Sequence, residues 1–177
     1  MSVRRGLAAP GARRKLARMN LNLPRAARFA VLFAGCLVAS LAAQTAKAPV
    51  YYPMPPTGGA PLPFSEAVQL GDTLYVSGQI GNQPGTLTLA TGGIGAEAKQ
   101  ALENMKAILE KHGSSLDHVV KCTVFLADIK EWPAFNEIYR TYFKKNLPAR
   151  SALAASGLAV GARVEVECIA FVPPKGK

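Results

Sequence analysis

The chain has 177 residues, enough for one domain, and 49% of them are hydrophobic, enough to bury a core. Its formal net charge of +10 comes from the amino-terminal segment: residues 1–48 hold nine basic residues and no acidic one, and the remainder holds twelve basic and eleven acidic residues. A folded part so close to neutrality lacks the basic surface that binds phosphate backbones, which argues against nucleic acid as a partner.

Residues 1–48 have the pattern of an export leader. A basic region that ends at Arg28 precedes the uncharged residues 29–43, too few for a membrane-spanning helix of about 20 apolar residues. Small residues at 40–42 and 46–48 offer cleavage sites, so we expect an exported, periplasmic protein. Two alternatives stay open. One is a membrane-attached leader, either uncleaved or lipid-anchored at Cys36, and the other is a misassigned start that leaves the protein cytoplasmic.

Residues 49–63 are rich in Pro, Gly and Ala and predict an extended arm. The arm precedes a domain at 64–173, and a short tail at 174–177 follows it. Two short strands, at 67–70 and 73–79, flank a Gly71-Asp72 turn, and a weaker strand pattern lies at 87–89. The folded domain therefore begins near Phe64 in this interpretation.

The second half of the domain predicts two helices and three strands. Apolar residues recur at helical spacing over 96–112 and again from Pro133 to 144 or 145. Between these helices, residues 119–127 form a nearly continuous apolar strand, and two last strands lie at 150–155 and 163–172. The order of these elements predicts an α+β domain with a mixed β-sheet and two helices on one face.

Arg150 is the clearest candidate for a binding residue. It opens an otherwise apolar strand, where a guanidinium is costly to bury unless an anion accompanies it. Its planar fork fits a carboxylate through two parallel hydrogen bonds. Glu165 and Glu167 share one face of a strand that we expect to lie beside Arg150, and Glu165 is the preferred acid–base candidate. A structural ion pair between Arg150 and either glutamate is the alternative explanation.

The cysteine and histidine residues carry weaker signals. Cys122 and Cys168 each fall inside a predicted strand, which favours two buried free thiols, with a disulfide between them as the alternative. His112 and His118 flank the turn after the first helix, where helix-end and surface roles explain them better than metal binding.

Six segments form a recognisable set in order and spacing: LYVSGQI at 74–80, ALEN at 101–104, VVKCTVFL at 119–126, FNEIY at 135–139, PARS at 148–151 and VEVECIA at 164–170. Together they resemble the RidA family of enamine/imine deaminases, also known as YjgF-type proteins. The resemblance covers about residues 61–171 and does not extend to residues 1–60.

The resemblance implies a chorismate-mutase-like α+β fold and a homotrimer with active sites between adjacent subunits. It implies hydrolysis of small 2-imino or enamine carboxylates to 2-keto acids and ammonia, without a metal or an organic cofactor. A non-catalytic carboxylate binder or a holdase-like protein of the same fold is the alternative. A ribonuclease is the least favoured function, because the domain is nearly neutral and offers no histidine pair for acid–base work.

The resemblance also assigns roles to particular residues. Arg150 matches the arginine that holds the substrate carboxylate, and Glu165 matches the glutamate near the attacking water. Three further residues match positions that line or adjoin the cleft: Ser77, Gly78 and Asn136.

Three residues depart from the family pattern. Phe64 stands where deaminases often have a tyrosine, and Ala152 stands where many have a cysteine. Phe64 and Ala152 are therefore expected to line the substrate site without polar side chains, which favours the non-catalytic alternative. Gly81 replaces a common proline and is expected to loosen the loop after the second strand.

Overall fold

The structure is a computed structural model, and it describes residues 47–59 and 61–174. The predictions of an export leader, and of a lipid anchor at Cys36, fall outside these residues. Within the described part of the chain, no helix is both long enough and apolar enough to cross a bilayer.

One six-stranded sheet forms the framework of the domain. Its strands are β1 (Val50–Pro53), β2 (Ser65–Leu70), β3 (Thr73–Ile80), β4 (Val119–Leu126), β5 (Ala149–Ala154) and β6 (Val164–Phe171), and its helices are α1 (Ile94–Lys111) and α2 (Trp132–Tyr142). The strand order is β1-β2-β3-β6-β4-β5. Only β4 and β5 pair in parallel, and all other neighbours are antiparallel. The predicted mixed sheet with two helices is confirmed.

The core lies between the helices and one face of the sheet. Buried residues recur at helical spacing along α1, where Leu102, Met105 and Leu109 are fully buried. Every second residue of β6, from Val164 onward, joins the same hydrophobic cluster, so the predicted alternation of this strand is confirmed. This alternation directs the remaining side chains of β6, Glu165 among them, to the opposite face.

That opposite face is not covered by any element in the described part of the chain. Large apolar side chains stay accessible on it, with Tyr75 at 45% and Leu153 at 44% of full exposure. A shallow cavity of about 200 Å³ lies on this open face, lined in part by Lys121, Thr123 and Glu167. An apolar, uncovered sheet face is a common sign of an interface with another protein surface.

The Pro-rich arm contributes a strand that the sequence analysis did not predict. Residues Val50–Pro53 form β1 and pair with β2 at the edge of the sheet. The Tyr52 ring stacks on the His112 ring at 3.8 Å between centroids, and the His112 ring nitrogen Nε2 lies 2.8 Å from a carboxylate oxygen of Glu66. The Lys111 ammonium donates to the same oxygen at 2.5 Å. His112 thus belongs to a largely buried cluster that attaches the arm to the domain. The surface role that the sequence analysis favoured for His112 did not anticipate this cluster.

Three other local predictions differ from the structure. The weak strand pattern at 87–89 yields only an isolated bridge between Leu89 and Asn82. Helix α2 ends at Tyr142, two or three residues earlier than expected, and Phe143 turns into the core instead. Gly81 does not loosen its loop: a Cβ there would strike the backbone of Glu97, so the glycine allows β3 to pack closely on α1.

Candidate active site

The first cluster of candidate residues surrounds Arg150 on β5; we call it the Arg150 half-site (Arg150, Asn136, Tyr139, Phe135 and Ala152). The Nη2 group of Arg150 donates a hydrogen bond to the Asn136 side-chain oxygen at 2.8 Å. The guanidinium carbon lies 4.5 Å from the centroid of the Tyr139 ring and 5.8 Å from that of Phe135. Ala152 shares this face of β5 and packs against the core. The guanidinium is therefore held by an amide and aromatic rings.

Arg150 has no carboxylate partner in residues 47–59 and 61–174. Neither Glu165 nor Glu167 lies within 4 Å of it, so the structural ion pair considered as an alternative is not formed in the described chain. Asn136 takes one of the five guanidinium N–H donors, and the guanidinium makes no other hydrogen bond within the described residues. The half-site thus has the chemistry of a carboxylate receptor.

The second cluster surrounds Glu165 on β6; we call it the Glu165 half-site (Glu165, Gly78, Ser77 and Phe64). A Cβ at position 78 would overlap the Glu165 carboxylate, so this carboxylate folds over the bare backbone of Gly78. The Ser77 hydroxyl donates to the Ser65 carbonyl oxygen at 2.7 Å, where the β3–β6 register is irregular. A bulge of this kind re-aims side chains and leaves backbone groups available.

Phe64 is adjacent in sequence to the carbonyl that accepts the Ser77 hydrogen bond, and it is 49% exposed. The close approach of Gly78 to Glu165 and the Ser77–Ser65 hydrogen bond bring Ser77, Gly78 and Glu165 into one region, which Phe64 adjoins in sequence. That these residues line a substrate cleft stays a prediction.

The pKa of Glu165 is raised. Burial of the carboxylate is the larger cause, and the negative charge of Glu167 is the smaller one. A nearby arginine would have the opposite effect and lower this pKa. Burial prevails because Arg150 lies on the other side of the sheet. A raised pKa makes a carboxyl group better suited to accept and return a proton.

The two half-sites are separated within one chain. Strand β4 lies between β5 and β6, so the expectation that Arg150 and Glu165 stand on neighbouring strands was wrong. Arg150 is in register with Cys122 of β4, which is in register with Cys168 of β6, three residues from Glu165. Two strand spacings of about 4.8 Å and three residues of about 3.3 Å put their Cα atoms roughly 14 Å apart.

The half-sites also face opposite sides of the sheet. Cys122 and Cys168 point into the core, and Arg150, in the same row, points the same way toward α2. Glu165 has the opposite parity and points to the open face. One subunit therefore cannot bring the two side chains onto the same small substrate.

Cys122 and Cys168 are buried free thiols, as predicted. Burial raises the pKa of both thiols, and for Cys122 it outweighs the lowering effect of Tyr139, Arg150 and Lys121. Neither cysteine is suited to act as a nucleophile.

The contacts of Arg150 with Tyr139 and Phe135 were not anticipated as functional. Both rings are among the apolar residues that recur at helical spacing from Pro133, and both are buried. The sequence did contain a signal that Tyr139 lies near the functional residue Asn136. The two are three residues apart in the FNEIY segment and therefore share one helix face.

Comparison with known proteins gives a consistent result. The sequence model of the family described as Endoribonuclease L-PSP matches residues 57–172. A human protein named 2-iminobutanoate/2-iminopropanoate deaminase is 47% identical over 131 residues, which cover 74% of this chain and 89% of the human one. The Drosophila melanogaster RutC family protein UK114 is 44% identical over 109 residues, covering 62% of this chain and 79% of that protein.

Solved structures agree with these relatives. The crystal structure of RidA from the Antarctic bacterium Psychrobacter sp. PAMC 21119 is 37% identical with a TM-score of 0.61, covering 73% of this chain and 99% of that one. The crystal structure of yeast Mmf1 is 34% identical with a TM-score of 0.66, covering 71% of this chain and all of that one. The fold predicted from the sequence is therefore confirmed.

Proposed function

Because the chain belongs to the Endoribonuclease L-PSP family, that of the RidA or YjgF-type proteins, we propose that Arg150 and Glu165 of two neighbouring subunits form a hydrolytic imine deaminase site. The substrates are small 2-imino and enamine acids, and the products are 2-keto acids and ammonia. Relatives such as the human deaminase support this reaction. The observation that carries the proposal is the guanidinium of Arg150, held in place yet without a carboxylate partner among the described residues.

The chemistry follows from the two half-sites. Arg150 binds the substrate carboxylate through paired hydrogen bonds and so fixes the C=N carbon in place. Glu165 accepts a proton from a water molecule as the water oxygen bonds to that carbon, and it returns the proton to the nitrogen. Glu165 then takes the hydroxyl proton of the resulting carbinolamine and passes it to the amino nitrogen, the C–N bond breaks, and ammonia leaves as the C=O bond forms.

The proposal requires more than one subunit. Arg150 and Glu165 face opposite sides of one sheet, so a complete site needs the Arg150 half-site of one subunit against the Glu165 half-site of the next. A ring of three identical subunits provides three such contacts, and each copy contributes both halves. The uncovered apolar sheet face, with Tyr75 and Leu153 exposed, supplies a surface that such contacts would bury.

Mixing two inactive variants tests the shared site. Arg150→Ala and Glu165→Gln subunits are each purified, confirmed as trimers by light scattering, unfolded together in equal amounts and refolded. Release of the keto acid is then measured with 2-iminobutanoate generated in the assay by an amino-acid oxidase. Each pure variant refolded alone is the control for inherent activity and for recovery.

Every mixed trimer regains one intact site if Arg150 and Glu165 come from different subunits. Random mixing makes three quarters of the trimers mixed, so we expect about one quarter of wild-type activity. If both residues acted from the same subunit, no combination would restore a site, and the mixture would stay as inactive as its components.

A non-catalytic carboxylate binder remains the second candidate because Phe64 and Ala152 remove two polar side chains from the site. Binding of 2-oxobutanoate without any acceleration of imine hydrolysis by wild-type trimers would establish that alternative. Nuclease activity that survives in the Arg150→Ala variant would be assigned to a contaminant.

We also propose that residues 1–48 direct export. The support is the basic region up to Arg28 followed by the uncharged residues 29–43. Cell fractionation and amino-terminal sequencing of the expressed protein test this proposal. A periplasmic protein that begins after residue 42 or 48 is the expected result, a lipid-modified Cys36 would establish anchoring, and an intact cytoplasmic chain would overturn export.

A further inference from the structure

Of the two aromatic rings near the Arg150 guanidinium, that of Tyr139 is the nearer. Its residue surface is 7% exposed, and its buried hydroxyl has no hydrogen-bond partner among the described residues except the weakly polar thiol of Cys122. Burial raises the pKa of this hydroxyl, so the side chain stays neutral. The part of Tyr139 that faces Arg150 is the ring, whose centroid lies 4.5 Å from the guanidinium carbon.

The ring of Tyr139 is itself firmly held. Its centroid lies 4.5 Å from that of Phe143 and 5.6 Å from that of Phe135, both in tilted arrangements. Both neighbours are buried, so the ring has little freedom to rotate away. The Arg150 guanidinium therefore rests on a surface that the core keeps fixed.

We propose that Tyr139 is a positioning residue for the deaminase reaction. The face of its ring holds the Arg150 guanidinium in the orientation that receives the substrate carboxylate. Asn136 accepts a hydrogen bond from Nη2 and restricts translation of the guanidinium. The Tyr139 ring packs against the guanidinium and restricts its tilt. This inference rests on the proposed function of the Arg150 half-site.

The test compares three variants of the full-length trimer. Tyr139→Leu removes the ring, and Tyr139→Phe keeps the ring face and removes only the hydroxyl. Tyr142→Leu is the matched control, because Tyr142 lies on the same helix but directs its hydroxyl to Glu103 at 2.7 Å. The measurements are KM and kcat for 2-iminobutanoate, the dissociation constant of 2-oxobutanoate by calorimetry, and the melting temperature.

We expect Tyr139→Leu to raise KM and the 2-oxobutanoate dissociation constant together, by about 2- to 30-fold, the range of a cation–π contact. The kcat value should change less than KM, because the carboxylate is bound equally in the ground state and the transition state. Tyr139→Phe and Tyr142→Leu should stay within about twofold of wild type in all three constants. A merely structural role would lower the melting temperature without separating KM from kcat.

A second test does not depend on the folding of Tyr139→Leu. Tyr139 is replaced by phenylalanine that carries one, two or three fluorine atoms on its ring. Fluorination weakens the negative ring face at nearly constant shape, so the dissociation constant should rise stepwise along the series. Constants that do not change along the series would overturn the inference. An equal rise in Tyr139→Phe and Tyr139→Leu would also overturn it, because the effect would then belong to the hydroxyl.

The same data separate this inference from the proposed function. Wild type that binds 2-oxobutanoate but does not accelerate imine hydrolysis would overturn the deaminase alone, and the binding series would still decide the role of Tyr139. If wild type hydrolyses the imine but the dissociation constant of 2-oxobutanoate does not change along the fluorinated series, only the role of Tyr139 is overturned. Wild type that neither binds nor turns over would overturn both.

Discussion

The Arg150 and Glu165 half-sites are prepared for their roles in opposite ways. Arg150 is fixed by what surrounds it: an amide from Asn136 and the ring of Tyr139, both on α2. The position of the Glu165 carboxylate depends instead on the absence of a side chain at Gly78, because the carboxylate occupies the space that a Cβ there would fill. A cation with a planar fork gains from contacts that restrict tilt, whereas a proton carrier gains from burial that raises its pKa.

Keeping the two half-sites apart has a chemical consequence. If Arg150 stood beside Glu165 in the same subunit, its positive charge would lower the glutamate pKa and the pair would neutralise each other. Within one chain the sheet lies between them, so Arg150 stays available for an anion and the pKa of Glu165 stays raised. In the proposed trimer, Arg150 of one subunit faces Glu165 of the next across the substrate site.

The largest effect is expected from removing the cation. Arg150→Ala should lower kcat/KM for 2-iminobutanoate by about 100-fold or more, because two charge-assisted hydrogen bonds to the carboxylate are lost. Steady-state keto-acid release measures this change. Arg140→Ala is the control, since that exposed arginine on α2 forms a surface ion pair with Glu137 and its loss should leave the rate unchanged. Equal losses in both variants would contradict a specific role for Arg150.

A methyl group should disturb the other half-site. Gly78→Ala places a Cβ where the Glu165 carboxylate lies, so the carboxylate must move and kcat should fall by about 10- to 100-fold. Gly157→Ala is the matched control, because a Cβ there meets no atom within 4 Å. Stopped-flow decay of the imine measures kcat for both. An active Gly78→Ala enzyme would mean that Glu165 can work from another position.

The raised pKa of Glu165 makes stability depend on pH. The folded chain holds the Glu165 proton more tightly than the unfolded chain, so the contribution to stability is fully present below the unfolded pKa. This contribution is lost as pH rises through the folded pKa. Relative to Glu165→Gln, wild type should therefore lose free energy of unfolding as pH rises through this window, measured by urea titration at several pH values. A difference that grows in the other direction would contradict a raised pKa.

The smallest effect concerns the loop that joins β5 to β6 and hence the two half-sites. Val160 in this loop has a φ of 50°, a conformation costly for a β-branched residue, and is 50% exposed. Val160→Gly should raise the free energy of unfolding by about 0.5–1 kcal/mol at unchanged kcat. Val120→Gly, at an exposed position of β4, should lower it instead. Chemical denaturation of both variants gives the comparison.

Much of the fold was accessible from local patterns. Buried positions at helical spacing gave both helices, and alternation along residues 164–171 gave the two faces of β6. Strand β1 was missed because its good strand formers, Val50, Tyr51 and Tyr52, are only three residues inside a Pro- and Gly-rich segment. Pairing with β2 and the Tyr52–His112 contact give this short segment its strand structure. The end of α2 was misplaced because core packing of Phe143 competes with continuation of the helix.

The sequence by itself determined the residue types of the site, the α+β class and which glutamates share a face, because these depend on spacing within one element. Only the tertiary structure decided that β4 separates Arg150 from Glu165, that the two point to opposite faces and that Tyr139 lies under the guanidinium. Strand order and register depend on pairing between distant segments, and a shift of one residue in register exchanges the faces of a strand. No pattern inside a single segment contains that information.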